Sequence, residues 1–199
     1  YTKDIFGINS QISYDNKYLI TSHNNRMVRV WNVKDTSLTI LHTNNQYKPL
    51  IKSMAVPEIE RPNPYILFTD RKKKIHLYDY KKNKYIKNKN VQHSPSAVSF
   101  INSKNTAFSF LIGHVNGVIS FWNIQNGNQL KLLDKSKKIH KGEIIGLIPL
   151  NREQGNLVIS AGADGELYII DYTSYKIKAK LLRDGGIEID DSFNIKNYF

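Results

Sequence analysis

His140, Ser160 and Asp164 fall within one short stretch of the chain and together hold the residue types of a hydrolase triad. That chemistry needs a serine within hydrogen-bond reach of a histidine that a carboxylate orients, beside donors for an oxyanion. The sequence around Ser160 reads Val-Ile-Ser-Ala-Gly, not the Gly-x-Ser-x-Gly turn that lifts a nucleophile out of its sheet. The three residues are therefore read as structural, and no catalytic residue is expected. No Gly-x-x-x-x-Gly-Lys-Ser/Thr or Gly-x-Gly-x-x-Gly run is present to cradle a phosphate or a dinucleotide. His23, His42, His76 and His114 lack metal-ligand spacing, and they are read as solvated or capped side chains. With no cysteine there is no thiolate site and no disulfide. No cofactor and no metal are expected. Trp31 and Trp122 are read as core between sheets rather than as ligand-stacking aromatics.

The elements that would position these residues are short strands. Ile144 to Leu150, Asn156 to Gly162 and Leu167 to Asp171 follow one another with no room for a crossover helix, so they predict an antiparallel meander. Earlier in the chain Ile12 to Ser22 reads as a strand, a turn and a second strand. Met27 to Asn32 alternates with period two, and Leu38 to Leu41 follows after a turn. A second pass gives Ile51 to Val56, Tyr65 to Thr69 and Ile75 to Tyr80. Its Pro57 to Pro64 connection, with three prolines, reads as an irregular loop. In that pass Asp70 to Lys74 stands where the other passes have a small tight turn. A third pass gives Ala97 to Ile101, Ala107 to Ile112, Val118 to Ile124 and Leu130 to Leu133, with Asn116-Gly117 as a hairpin signal. The stretch from His140 is the fourth, ending in Tyr175 to Leu182.

Aligned on their third strands, the passes place Trp31-Asn32, Tyr78-Asp79, Trp122-Asn123 and Ile170-Asp171 in register, separated by 47, 44 and 48 residues. Four strands at such a period are the mark of propeller blades. In this pattern the chain resembles the WD-repeat family over roughly residues 5–182, although none of the four copies has Trp-Asp itself. The resemblance implies an all-β fold of four four-stranded antiparallel blades, with copies at residues 1–46, 47–92, 93–134 and 135–182. It also implies, in each blade, a hydrogen-bond network of a histidine, a hydroxyl residue, an aspartate and the tryptophan. Carried over, the fourth copy keeps His140, Ser160 and Asp164 but has Ile170 in place of the indole. The first offers Thr21, Asn25 and Trp31. The third offers His93, Asn116 and Trp122, with Ile112 in place of the hydroxyl. These networks are expected to be partly cut. Residues 183–199 are read as an acidic tail, with Asp184, Glu188, Asp190 and Asp191, or as the start of a further blade from Ile187 to Ile189. A chain without an initiator methionine is read as a piece of something longer, and the four blades as an open arc or part of a larger propeller.

A chain of 199 residues with 40% hydrophobic content can bury a core, and its formal net charge is +12. Lysine supplies 23 of its 29 basic residues and arginine 6, beside 21 asparagines and 25 isoleucines. All three inflated types have AT-rich codons, so part of the charge is attributable to genome composition. Arginine, the better fork for phosphate and guanine, is the scarce one. The charge falls in expected loops: Lys72, Lys73 and Lys74 in a turn between strands, and Lys87, Lys89, Lys135, Lys137, Lys138 and Lys141 in or beside connections between blades. By resemblance these loops share the binding face. They are expected either to dock an acidic partner or to be merely solvated. The function implied is a non-catalytic protein-interaction scaffold within a larger assembly. The alternative is an RNA-associated propeller in a ribonucleoprotein, tracking phosphates with the lysine-rich face. Absent cysteines and Asn-x-Ser/Thr sequons favour an intracellular protein, cytoplasmic before nuclear.

Overall fold

The computed structural model describes residues 7–34, 37–44, 50–57, 64–101, 109–126, 129–150 and 156–190. All of the regular structure among them is strand, arranged as four antiparallel sheets. The first holds β1 (Gly7–Ile12), β2 (Tyr18–His23), β3 (Val28–Lys34) and β4 (Ser37–Asn44) in that order. The second holds β5 (Ile51–Ala55), β6 (Tyr65–Asp70), β7 (Lys74–Asp79) and β8 (Lys84–Asn90). The third holds β9 (Pro95–Phe100), β10 (Ser109–His114), β11 (Val118–Gln125) and β12 (Gln129–Lys138). The fourth holds β13 (Ile144–Pro149), β14 (Leu157–Gly162), β15 (Leu167–Asp171), β16 (Lys176–Leu181) and a short fifth strand, β17 (Ile187–Ile189).

Each sheet is a meander in sequence order, as short connections between antiparallel neighbours require. The four share one register: Leu19 faces Trp31, Ile66 faces Tyr78, Phe110 faces Trp122 and Val158 faces Ile170. Their irregularities coincide too. The third and fourth strands slip by one residue just before that position, between Val30 and Trp31, Leu77 and Tyr78, Phe121 and Trp122, and Ile169 and Ile170. A bulge at the same place in every copy gives each outer strand the same added twist. The sheets are blades of a β-propeller fold.

Several expectations shift. β1 ends at Ile12, where the sequence placed its start, and Ser13 to Asn16 form the turn: Asn16 N–H donates to Ser13 O at 2.9 Å. Lys84 to Asn90, whose lysines read as part of a connection between blades, is the outer strand β8. Ile187 to Ile189 pairs with β16 and extends the fourth sheet. Lys178 lies 3.9 Å from Asp190, and Lys180 lies 3.9 Å from Glu188. The Asp70 to Lys74 segment is a tight turn like the others. Arg26, Lys73, Gly117 and Gly165 stand three residues past the end of each second strand, and all have positive φ: 68°, 58°, 80° and 83°. Residues 58–63 of the proline-rich loop, Gly127, Asn128 and Asp191 lie outside the described residues, as do the side chains of His42 and Lys135.

The chain divides into two compact units, Tyr1–Gln92 and His93–Phe199. In the first unit Ile20, Val28 and Val30 of the first sheet pack with Met54, Ile66, Phe68 and Tyr78 of the second. In the second unit Leu111, Ile119 and Phe121 of the third sheet pack with Ile144, Leu147, Val158, Tyr168 and Ile170 of the fourth. Each such aliphatic side chain, fully removed from water, contributes about 1.5–3 kcal/mol. Polar ties pin the second junction: Ser96 Oγ donates to Ile144 O at 2.7 Å, and Lys137 Nζ donates to Tyr175 O at 2.9 Å. Among the described residues no helix is long and apolar enough to cross a membrane.

Candidate functional site

The last residue of the second strand is the same register position in all four sheets, and it is occupied by His23, Asp70, His114 and Gly162. Each stands eight residues before the tryptophan position, at Trp31, Tyr78, Trp122 and Ile170. Around this position each sheet builds a buried polar knot, and each builds it differently.

In the third sheet His114 is 1% exposed. Its Nδ1–H donates to His93 O at 3.1 Å, leaving Nε2 to accept from Ser120 Oγ at 2.8 Å. Trp122 Nε1–H donates to the same hydroxyl at 2.8 Å. Ile112 occupies the hydroxyl position on β10, as the sequence shows, but Ser120 sits directly opposite it on β11 and supplies the missing oxygen. The histidine, hydroxyl and tryptophan expected to be parted are therefore linked, through His114 and Ser120, with the His93 carbonyl where an aspartate was expected. His93 takes part through its carbonyl, with its ring edge-on to His114 at 5.7 Å, and Asn116 lies in the β10–β11 turn. Burial presses the His114 imidazole down to about 4 from an ordinary 6.5.

In the fourth sheet the histidine comes from the loop before β13. His140 Nδ1–H donates to Asp164 at 2.9 Å, and its Nε2 accepts from Ser160 Oγ at 2.9 Å. Gly162 makes this arrangement fit, because a Cβ there would overlap the imidazole and the Asp164 carboxylate. Burial pushes the Asp164 carboxyl up, but the Lys141 amide, the His140 imidazole and the Glu166 amide outweigh it and hold the carboxyl below its ordinary value. Serine, histidine and aspartate stand at triad distances, yet Ser160 is 0% exposed in the middle of β14 and His140 is 1% exposed. A nucleophile must reach a carbonyl with an oxyanion pocket beside it, and this hydroxyl is enclosed by strands.

In the first sheet Trp31 Nε1–H donates to Thr21 Oγ1 at 2.8 Å, and His23 Nε2 lies 2.8 Å from the same oxygen. Asn25 stands apart from this chain: its amide donates to Met27 Sδ at 2.7 Å and its Oδ1 accepts from Met27 N–H at 3.3 Å. His23 Nδ1 is buried without a partner among the described residues. Burial and the Arg29 guanidinium press this imidazole below its ordinary value. In the second sheet Asp70 stands at the histidine position and His76 on β7 reaches it, with Nε2 to Oδ2 at 2.9 Å. Asp70 Oδ1 also accepts from the amides of Lys72 and Lys74, at 2.8 and 2.9 Å. Burial pushes this carboxyl up, and those three bonds outweigh it and hold it below its ordinary value. Tyr78 replaces the indole and donates to Asn83 Oδ1. His23, His76 and His114 are thus buried knot residues rather than solvated ones. Their spacing of eight residues to the aromatic position, directly or through Asp70, is the signal that would have found them. Among the described residues no group of three His, Cys, Asp or Glu could hold a metal ion.

The candidate lysines fall in two places, one in each unit. Lys72 and Lys73 are exposed in the β6–β7 turn and Lys74 is half-buried at the start of β7. Lys87 and Lys89 are exposed on β8, where Lys89 pairs with Ile75 one residue past the turn. Lys135, Lys137 and Lys138 belong to β12, and Lys141 is exposed in the loop before β13. Lys137 is drawn into the junction of the third and fourth sheets by its bond to Tyr175 O.

No family model matches the sequence, and no curated protein matches it. Among solved structures 1403 chains match, so the fold is a widely used one that singles out no activity. One match is a chain from the crystal structure of a mitotic checkpoint complex, with a TM-score of 0.72 at 14% identity, covering 90% of this chain and 54% of that one. At that identity the likeness shows the fold alone, and this chain spans about half the length of the other.

Proposed function

We propose that the chain is a protein-interaction scaffold of WD-repeat type that docks an acidic protein segment, acting as a subunit of a larger assembly. The carrying observation is a division of labour among polar residues. The buried histidines, hydroxyls and aspartates are spent in knots that hold strands together, whereas lysines stand exposed at the surface, one group of them at a corner of the second sheet. There Arg71, Lys72 and Lys73 of the turn adjoin Lys87 and Lys89 of the outer strand. The Asp70 carboxylate at the foot of the turn is buried and spent on the Lys72 and Lys74 amides and on His76. Such a lysine-rich corner attracts and orients an oppositely charged segment. The checkpoint-complex chain of like fold was crystallised within a multi-protein assembly, which agrees with this reading.

The test reverses Lys72, Lys73, Lys87 and Lys89 to glutamate together. Binding of a polyglutamate peptide and recovery of cellular proteins on the immobilised chain should both fall at least about tenfold. Unchanged recovery would defeat the proposal. Tight binding of single-stranded RNA, with affinity falling steeply as salt rises and no affinity for polyglutamate, would replace it with a ribonucleoprotein role.

A further inference from the structure

The first and second sheets pack face to face. A strand, by contrast, adds to a sheet in the plane of that sheet, along the hydrogen-bond direction. The outer edge of β8 therefore lies out of reach of this stacking, and a further sheet laid on either face leaves it open. Among the described residues no strand pairs with its far side. Such an edge is a template for another strand unless its sequence or shape prevents pairing.

Val91 N–H donates inward to Lys73 O at 2.8 Å. Backbone groups alternate sides along a strand, so the N–H and C=O of Asn88 and Asn90 point away from β7. Lys87 to Asn90 run in unbroken register with β7, and all four are exposed. The side chains of Lys87 and Lys89 share one side of the sheet, and those of Asn88 and Asn90 the other. A strand added here bonds to the backbone at Asn88 and Asn90. Lys87 and Lys89 then fall at the non-hydrogen-bonded pairs, where facing side chains come closest. The lysine-bearing strand β12 offers no comparable edge, because two register slips and Asp134 interrupt it.

The fourth sheet shows what a lysine-bearing outer strand accepts. There β16 seats β17 antiparallel, with Asp190 N–H donating to Lys178 O at 2.8 Å. A carboxylate stands across from each lysine, Asp190 from Lys178 and Glu188 from Lys180, both at 3.9 Å.

We propose that the outer edge of β8 takes an extended acidic segment of a partner protein as an antiparallel fifth strand, with carboxylates at alternate residues opposite Lys87 and Lys89. This rests on the reading of the chain as a scaffold for acidic segments and adds the mode of docking. Backbone hydrogen bonds hold the segment, and its alternate carboxylates select it. The β8 of a second copy does not fit, since lysines would then meet lysines.

The test is fluorescence anisotropy of labelled peptides of alternating Glu and Thr, titrated with the 199-residue chain at low salt. One peptide is N-methylated at its Thr residues, whose amides face Asn88 and Asn90 in the docked strand. Another is N-methylated at its Glu residues, whose amides face solvent. Thr methylation should weaken binding at least about tenfold, whereas Glu methylation should leave it within about threefold. Lys87→Glu/Lys89→Glu should weaken the unmethylated peptide at least about tenfold. Equal binding of the two methylated peptides would overturn the inference, leaving a contact of charge alone; polyglutamate would then still bind, and the scaffold reading would stand. If neither the peptides nor polyglutamate binds, both fall.

Discussion

The third and fourth sheets share a register and a buried imidazole, but they neutralise it differently. In the third, the histidine belongs to the strand and its acceptor is the His93 carbonyl, so the knot carries no charge. In the fourth, a glycine vacates the strand position, the histidine enters from a loop, and its acceptor is the Asp164 carboxylate. The fold preserves the place of the knot rather than its residues. What fills that place gains by satisfying its buried donors and acceptors, because an orphaned group, such as His23 Nδ1 in the first sheet, costs about 1–3 kcal/mol.

Gly162→Ala should cost the most, about 4 kcal/mol, since it evicts His140 and severs both of that residue's hydrogen bonds. Alanine in place of His114 should lack that steric component; equal losses in urea melts would remove the special role of Gly162. Next comes pH. The folded chain keeps His114 neutral down to about 4, while the unfolded chain protonates it below 6.5. Its contribution is therefore full above pH 6.5 and is lost as pH falls towards 4, by about 3 kcal/mol. The low value of His23 acts with the same sign. Asp164 is depressed from 3.8, so its contribution is present above that value and is lost only as pH falls further. Urea midpoints should thus hold from pH 7.5 to about 6.5 and decline from there to pH 4, and His114→Gln should flatten the decline. Ser120→Ala should cost about 2–3 kcal/mol, because it orphans both His114 Nε2 and Trp122 Nε1, against about 1–2 for Ser160→Ala, which orphans His140 Nε2. Thermal melts that rank the two serines in reverse would contradict the assigned bonds. Smallest is Lys73→Gly, which should stabilise by up to about 1 kcal/mol by relieving a left-handed backbone that Gly117 and Gly165 adopt without a Cβ.

Much of the fold is legible because apolar alternation and the 47, 44 and 48-residue spacing survive in strands that are buried. The exposed outer strands escape this reading. Lys84 to Asn90 reads as a charged connection because an outer strand meets water and carries lysine there. Gly7 to Ile12 has mostly exposed residues, so its alternation is faint. The knot of the third sheet hides for another reason. Its hydroxyl has crossed from Ile112 to the opposing Ser120, a move invisible until the strands are paired. In the fourth sheet the residues named from sequence, His140, Ser160 and Asp164, lie in one bonded chain, because there the oxygen has not moved.

The most direct measurement is a nitrogen-15 NMR titration of the imidazoles, followed through their long-range couplings. His114 should be held as a single Nδ1–H tautomer, neutral until the pH approaches about 4, with its Nε2 shifted as an acceptor from Ser120. A His114 that titrates near 6.5 with averaged tautomers would contradict it, since an imidazole free to exchange with water cannot be the centre of a buried knot.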